Sequence, residues 1–187
     1  MEKYLIIGNG TAAVSAVEGI RSLDKNGSIT VISREEHSAY CRPLISYYLE
    51  GKASPERMSC RNESFYADNS AEVIYSTAAS LDPKAKKVKL ESGAELEYTK
   101  LLIASGSSPF VPPMEGLDTV PNKGFFMTLD DACALERMTD ESSHVLIIGA
   151  GLIGLKCAEG LAERVKKITV CDLAQKVMPS ILDDDAA

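Results

Sequence analysis

Two six-residue stretches carry the residue types from which a phosphate site can be built. They are Gly8-Asn9-Gly10-Thr11-Ala12-Ala13 and Gly149-Ala150-Gly151-Leu152-Ile153-Gly154, a G-x-G-x-x-A and a full G-x-G-x-x-G. At this spacing the first glycine turns the chain sharply out of a strand. The second leaves bare backbone that a diphosphate can approach, and the third position, Gly or Ala, lets the next helix pack close to a sheet. N–H groups at the start of that helix then face the phosphates, backed by the partial positive charge of the helix end. The same glycines can also make a tight turn with no ligand at all, so the motif needs a strand before it and a helix after it.

Both copies have that context. Residues 4–7 are a short apolar run into Gly8, and Ala13, Val14, Val17, Ile20 and Leu23 then recur at helical spacing. Asn26-Gly27 closes the helix and residues 28–32 read as a second strand. A parallel pair needs a helical crossover of this kind. The pattern restarts at His144: a strand over 145–148, a helix over 152–164 and a strand over 167–171, with Gly149 following Gly8 by 141 residues. A nucleotide-binding unit of this type carries an acid for the ribose roughly 20 residues past the turn. In the second unit it is Asp172, 23 residues after Gly149. Its carboxylate would accept from a 2′-hydroxyl and repel a 2′-phosphate, favouring NAD(H) over NADP(H). In the first unit the equivalent position is Ser33; Glu35 and Glu36 follow, and Glu35 is the candidate.

Between the two units the pattern is mixed. Residues 37–66 suggest one helix near 44–49, and 72–76, 86–91 and 95–98 read as strands, the last two joined at Ser92-Gly93. A buried apolar strand is expected over 100–104, ended by Ser105-Gly106. The Pro and Gly residues of 107–124 then break regular structure. Thr128 is a suitable N-cap, with Asp130 and Asp131 in the first turn of a helix running to about Met138.

The bulk properties exclude several classes of function. The chain has 187 residues, 45% apolar and 25% charged, an ordinary globular balance. A formal charge of −7 and a pI near 4.9 leave no basic stripe for nucleic acid. Lys84, Lys86, Lys87 and Lys89 are followed by Glu91, Glu95 and Glu97, a solvated hairpin face. Cys41, Cys60, Cys133, Cys157 and Cys171 form no C-x-x-C pair and no zinc spacing, which suits a reducing compartment. The first residues lead straight towards a strand and leave no room for a signal peptide, and no run is long enough to span a membrane. The cytoplasm is expected. His37 and His144 lie in no nucleophile motif, so neither Ser-His-Asp catalysis nor a metal site is supported.

Over nearly its whole length the chain resembles the pyridine nucleotide-disulfide oxidoreductase superfamily, flavoproteins that bind two dinucleotides. Three strings sharpen the likeness. Tyr40-Cys41-Arg42-Pro43-Leu44-Ile45-Ser46 is similar to a segment whose arginine lies by the FAD diphosphate. Leu101-Leu102-Ile103-Ala104-Ser105-Gly106-Ser107-Ser108-Pro109 is similar to the segment that leaves the flavin domain. Gly151 through Glu159, with Met178-Pro179-Ser180-Ile181-Leu182-Asp183, is similar to the NAD half. Motif and resemblance together put FAD on Gly8, Gly10, Thr11, Ala12, Ala13, Ser33, Glu35, Arg42, Pro43, Ala78, Ser105 and Gly106. They put NAD(H) on Gly149, Gly151, Leu152, Ile153, Gly154 and Asp172.

The implied fold is α/β with two Rossmann-like units of three-layer type. Residues 1–110 would be an FAD domain with an extra β-hairpin, 111–141 a crossover linker and helix, and 142–187 the first β-α-β of an NAD domain. The nearest likeness is to the FAD/NAD part of NADH-dependent nitrite reductases and to rubredoxin and ferredoxin reductases. Two departures set it apart from disulfide-reducing branches. There is no C-x-x-x-x-C, and the single redox cysteine of the oxidase branch would fall near Tyr47. Cys41 precedes the Arg-Pro pair and reads as a packing or surface thiol. The family's glutamate toward the nicotinamide is here Lys156, which reverses the charge and cannot accept a hydrogen bond.

The resemblance implies an FAD-dependent NADH:acceptor oxidoreductase whose chemistry lies in its cofactors, with no catalytic side chain named. Its acceptor would be a rubredoxin, ferredoxin or sirohaem/Fe–S protein or domain. Two alternatives stand beside it: a non-catalytic FAD- or ADP-binding fragment or subunit, and an NADH oxidase or disulfide reductase using Cys41. The remaining NAD strands and the C-terminal part of such proteins do not follow, so a piece of a longer or split protein is expected. A homo-oligomer is compatible with this reading.

Overall fold

Short apolar runs with a helix between them produce the expected crossovers in the computed structural model, which describes residues 1–178, 181–183 and 185–186. Along the chain the elements begin β1 (Lys3–Ile7), α1 (Thr11–Leu23), β2 (Ser28–Ser33), α2 (Ile45–Leu49), α3 (Pro55–Met58) and α4 (Phe65–Asp68). They continue β3 (Ala71–Tyr75), β4 (Ala78–Asp82), β5 (Lys87–Leu90), β6 (Glu95–Glu97) and β7 (Lys100–Ile103). The last are α5 (Leu129–Met138), β8 (His144–Ile148), α6 (Leu152–Leu161) and β9 (Lys167–Cys171). The chain divides into two units: residues 1–41 with 59–107, and 42–58 with 108–187.

The first unit is built on a parallel sheet in the order β3-β2-β1-β7. Successive side chains of a strand point to opposite faces, and neighbours in β1 show it. Ile6 packs with Ala13, Val14 and Val17 of α1 and with Ile29 and Val31 of β2. Leu5 and Ile32 turn the other way, onto Val88 and Leu90 of β5. The layers are therefore α1, the parallel sheet, and an antiparallel sheet β4-β5-β6.

That third layer is larger than the expected hairpin. Residues 78–82 show no apolar alternation, and β4 exists because it pairs with β5, with an irregularity between Ala78 and Ser80. β7 also departs from expectation. It is an edge strand paired with β1, and Leu102 and Ile103 are 38% and 61% exposed rather than buried.

In the second unit β8 and β9 pair in parallel, from His144↔Lys167 to Ile148↔Cys171. The α6 helix stops at Leu161 rather than 164 because its last turn tightens. Ala162 N–H bonds to the Glu159 carbonyl and Arg164 N–H to the Leu161 carbonyl, a 3₁₀ pattern. Residues 42–58, expected in the first domain, group here because α2 buries Ile45, Ser46 and Leu49 among α5 and α6. A Cβ at Gly160 of α6 would come within 3.1 Å of Leu49 Cβ and the Ser46 carbonyl, so the glycine permits that approach. Pro179 and Ser180 of the NAD-like string, and Asp184 beyond it, lie outside the described residues.

Candidate functional site

At the first corner, β1 hands over to α1 through three positions with three separate tasks. Gly8 has φ +109°, and a Cβ there would lie 2.2 Å from the Ala104 carbonyl oxygen. Its N–H donates to the Ile32 carbonyl at 2.8 Å, fixing the turn to the end of β2. Gly10 has φ −96° and open space where its Cβ would be. Ala13 is buried in the core against Ile6 and Ile29. No side chain caps α1, and Thr11 and Ala12 of its first turn are exposed. The corner thus offers bare backbone and helix-end N–H groups, the donor set that suits a diphosphate.

Ser105 comes to this corner as well, its Cα 3.0 Å from the Cβ position of Gly8. Gly106 follows it with φ +70°, exposed. Ser33 is buried, and its hydroxyl donates to the Glu35 carbonyl at 2.6 Å, so it shapes the bend rather than offering itself to a ligand. The Glu35 carboxylate accepts from the Tyr40 hydroxyl at 2.6 Å. Ala78 is half-buried against the cluster of Leu5 and Ile32. Arg42 and Pro43 begin a 3₁₀ turn, Arg42–Leu44, grouped with the second unit.

Three residues here were not foreseen. The Asn9 side-chain amide donates to the His37 carbonyl at 3.3 Å, and the Tyr66 hydroxyl donates to Asn9 Oδ1. Burial pushes the Tyr66 phenol up to about 12, so it is a protonated donor at neutral pH. Tyr40 is the third. The sequence signal was slight: a short polar residue between two glycines, and tyrosines with nothing to mark their partners.

The second corner repeats the plan. Gly149 has φ +113° and its N–H donates to the Cys171 carbonyl at 2.8 Å. Gly151 has open space at its Cβ position. A Cβ at Gly154 would lie 2.0 Å from the Gly149 carbonyl oxygen, so the third glycine lets α6 press onto its own turn. No side chain caps α6, and Leu152 and Ile153 are 57% and 52% exposed. Asp172 closes β9 and spans the turn, accepting from Ala174 N–H at 2.8 Å and Ala150 N–H at 2.7 Å. Those two N–H groups hold its carboxyl below the usual range. Lys156 ion-pairs with Glu159 at 2.5 Å and lies over the Tyr47 ring at 5.5 Å, so its charge is met locally.

All five cysteines are free. Cys41 is half-buried, and burial raises the thiol of its neighbour Cys60, the opposite of the lowered pKa that activates a thiol. Among the described residues no His, Cys, Asp and Glu group could hold a metal, and no helix is long and apolar enough to cross a membrane.

Two corners of one construction suit two dinucleotides. The sequence pattern of the family described as pyridine nucleotide-disulphide oxidoreductase matches residues 2–187. The chain is 36% identical to the NADH-dependent phenylglyoxylate dehydrogenase subunit epsilon of Aromatoleum evansii, over 99% of this chain and 44% of that protein. It is 31% identical to the rubredoxin-NAD(+) reductase of Pseudomonas putida, over 98% of this chain and 48% of that one. A crystal structure of a ferredoxin reductase from Rhodopseudomonas palustris superposes with a TM-score of 0.86 at 30% identity, covering 99% of this chain and 46% of the other. The chain therefore spans a little under half the length of these relatives.

Proposed function

The chain belongs to the pyridine nucleotide-disulphide oxidoreductase family, and on that premise we propose that it forms the two nucleotide-binding corners of an FAD-dependent NADH:acceptor oxidoreductase. The observation that carries this reading is the pair of corners. Each follows a parallel strand, opens an uncapped helix, and has empty space at its middle glycine.

FAD is assigned to the first unit and NAD(H) to the second, and the chain is read as an FAD part (1–110), a crossover linker and helix (111–141) and the start of an NAD part (142–187), with 42–58 grouped with the second unit. The Gly8–Ala13 corner holds the FAD diphosphate on helix-end N–H groups, and Glu35 takes the adenosine ribose. The Gly149–Gly154 corner holds the NAD diphosphate, and Asp172 selects a ribose without a 2′-phosphate. When bound, the flavin accepts a hydride from reduced nicotinamide and passes electrons onward. The onward acceptor is a redox protein or domain of rubredoxin, ferredoxin or sirohaem/Fe–S type, the first two supported by the names of relatives. Five free, scattered cysteines support a cytoplasmic setting.

The test is a visible spectrum of the purified protein. Flavin absorbance should be present and should bleach on anaerobic addition of NADH, faster than with NADPH. Colourless protein that takes up no added FAD rejects the enzymatic reading; bound flavin that NADH cannot bleach supports a non-catalytic nucleotide-binding part instead.

A further inference from the structure

We propose that Tyr40 is a positioning residue that aims the Glu35 carboxylate at the ribose hydroxyls of the first nucleotide and so sets how strongly those hydroxyls are recognised. This rests on the reading of Glu35 as the ribose acid. Glutamate has three side-chain torsions, and an acid on a surface bend must be ordered before it can select a ligand. Here the bend after β2 is pinned along its length. The Ser33 hydroxyl donates to the Glu35 carbonyl, and the Asn9 amide, from within the glycine turn, donates to the His37 carbonyl. The backbone at Tyr40 bridges to Ser59, and Cys60 N–H donates to the Ala39 carbonyl at 2.7 Å.

From that anchored position Tyr40 is 8% exposed and its ring meets the His37 ring edge-on, with centroids 6.3 Å apart. Its hydroxyl reaches Glu35 Oε2 at 2.6 Å. A short bond from a neutral donor to a carboxylate is among the stronger side-chain contacts. Gly8 N–H bonds to the Ile32 carbonyl three residues before Glu35, and Asn9 ties the turn to His37, two residues after it. The acid and the diphosphate corner are thus held in one frame. Glu36, its neighbour in sequence, is exposed.

The experiment uses flavin fluorescence, which reports on the first site alone. FAD is compared with an FAD analogue whose adenosine ribose lacks both the 2′- and 3′-hydroxyls. In Tyr40→Phe the Kd for FAD should rise roughly tenfold, while the Kd for the dideoxy analogue stays within twofold of the unaltered protein. Equal losses for both ligands, or no loss for either, overturn the role of Tyr40 and leave the FAD site standing. Failure of the unaltered protein to bind FAD overturns the site itself. Should Tyr40→Phe not fold by far-UV circular dichroism, Tyr40→4-fluorophenylalanine decides the matter. That substitution keeps the length of the ring and lacks the O–H donor, so lost discrimination between the two flavins upholds the proposal, and kept discrimination in a folded protein rejects it.

Discussion

Gly8 and Gly10 are two residues apart, yet the structure asks different things of them. Gly8 combines a left-handed φ with contact against the Ala104 backbone, so Gly8→Ala should destabilise the protein by about 2 kcal/mol or more. Gly10 has an ordinary φ and nothing near its Cβ position. Gly10→Val should therefore unfold within about 1 kcal/mol of the parent while losing bound flavin, because the new side chain would fill the space proposed for the diphosphate. Thermal denaturation and flavin content, measured on both variants, check the pair; retained stoichiometric FAD in Gly10→Val would count against the site. Asp172 also has two tasks, since its carboxylate both ties down the turn and is proposed to meet a ribose. Asp172→Asn can still accept from a backbone N–H, so it should keep most stability while narrowing the preference for NADH over NADPH by about tenfold, on the scale of a lost charged hydrogen bond. Asp172→Ala removes both functions and should also lower the melting temperature. The depressed carboxyl stays ionised at neutral pH, and its contribution is lost only as pH falls through that lowered value. The Kd for NADH, which carries no 2′-phosphate, should accordingly be flat between about pH 5 and 8, and a midpoint in that window that Asp172→Asn abolishes would contradict the lowered carboxyl.

At the scale of elements, local chemistry was read well where the signal is itself local. Thr128 accepts from Asp131 N–H at 3.0 Å while the Asp131 carboxylate accepts from Thr128 N–H at 2.9 Å, a complete capping box on α5. Thr128→Ala should cost about 1 kcal/mol in denaturant unfolding, and a change under about 0.3 kcal/mol would show that α5 is held by packing alone. The boundaries of β1, α1 and β2 followed from apolar spacing and the Asn26-Gly27 stop. β4 did not, because Ala78-Ala79-Ser80-Leu81-Asp82 has no pattern of its own and becomes a strand only beside β5. The burial expected of β7 also failed, since an apolar run looks the same at the edge of a sheet as at its centre.

For the whole molecule, two separate corners imply two separate stabilisations. A ligand that binds only the folded protein at about a hundredfold its Kd adds roughly 2.7 kcal/mol. FAD and NADH should each give such an increment. Gly10→Val should abolish the one from FAD and Gly151→Val the one from NADH, each leaving the other in place. Loss of both increments in either single variant would mean that the two corners serve one ligand.

The sequence by itself determined the two corners, their order and their helices, because glycine spacing and apolar period are properties of short stretches of chain. It also marked Asp172, whose distance from its turn is a matter of counting. Only the tertiary structure decided that residues 42–58 pack with the second unit, that Ser33 turns inward, and that Asn9, Tyr66 and Tyr40 brace the bend carrying Glu35. Those facts depend on contacts between distant residues, 57 positions apart for Tyr66 and Asn9 and 88 for Tyr48 and Glu136. Hydrogen bonds of that span are made by the fold that brings their ends together, and leave no periodicity in the chain to announce them.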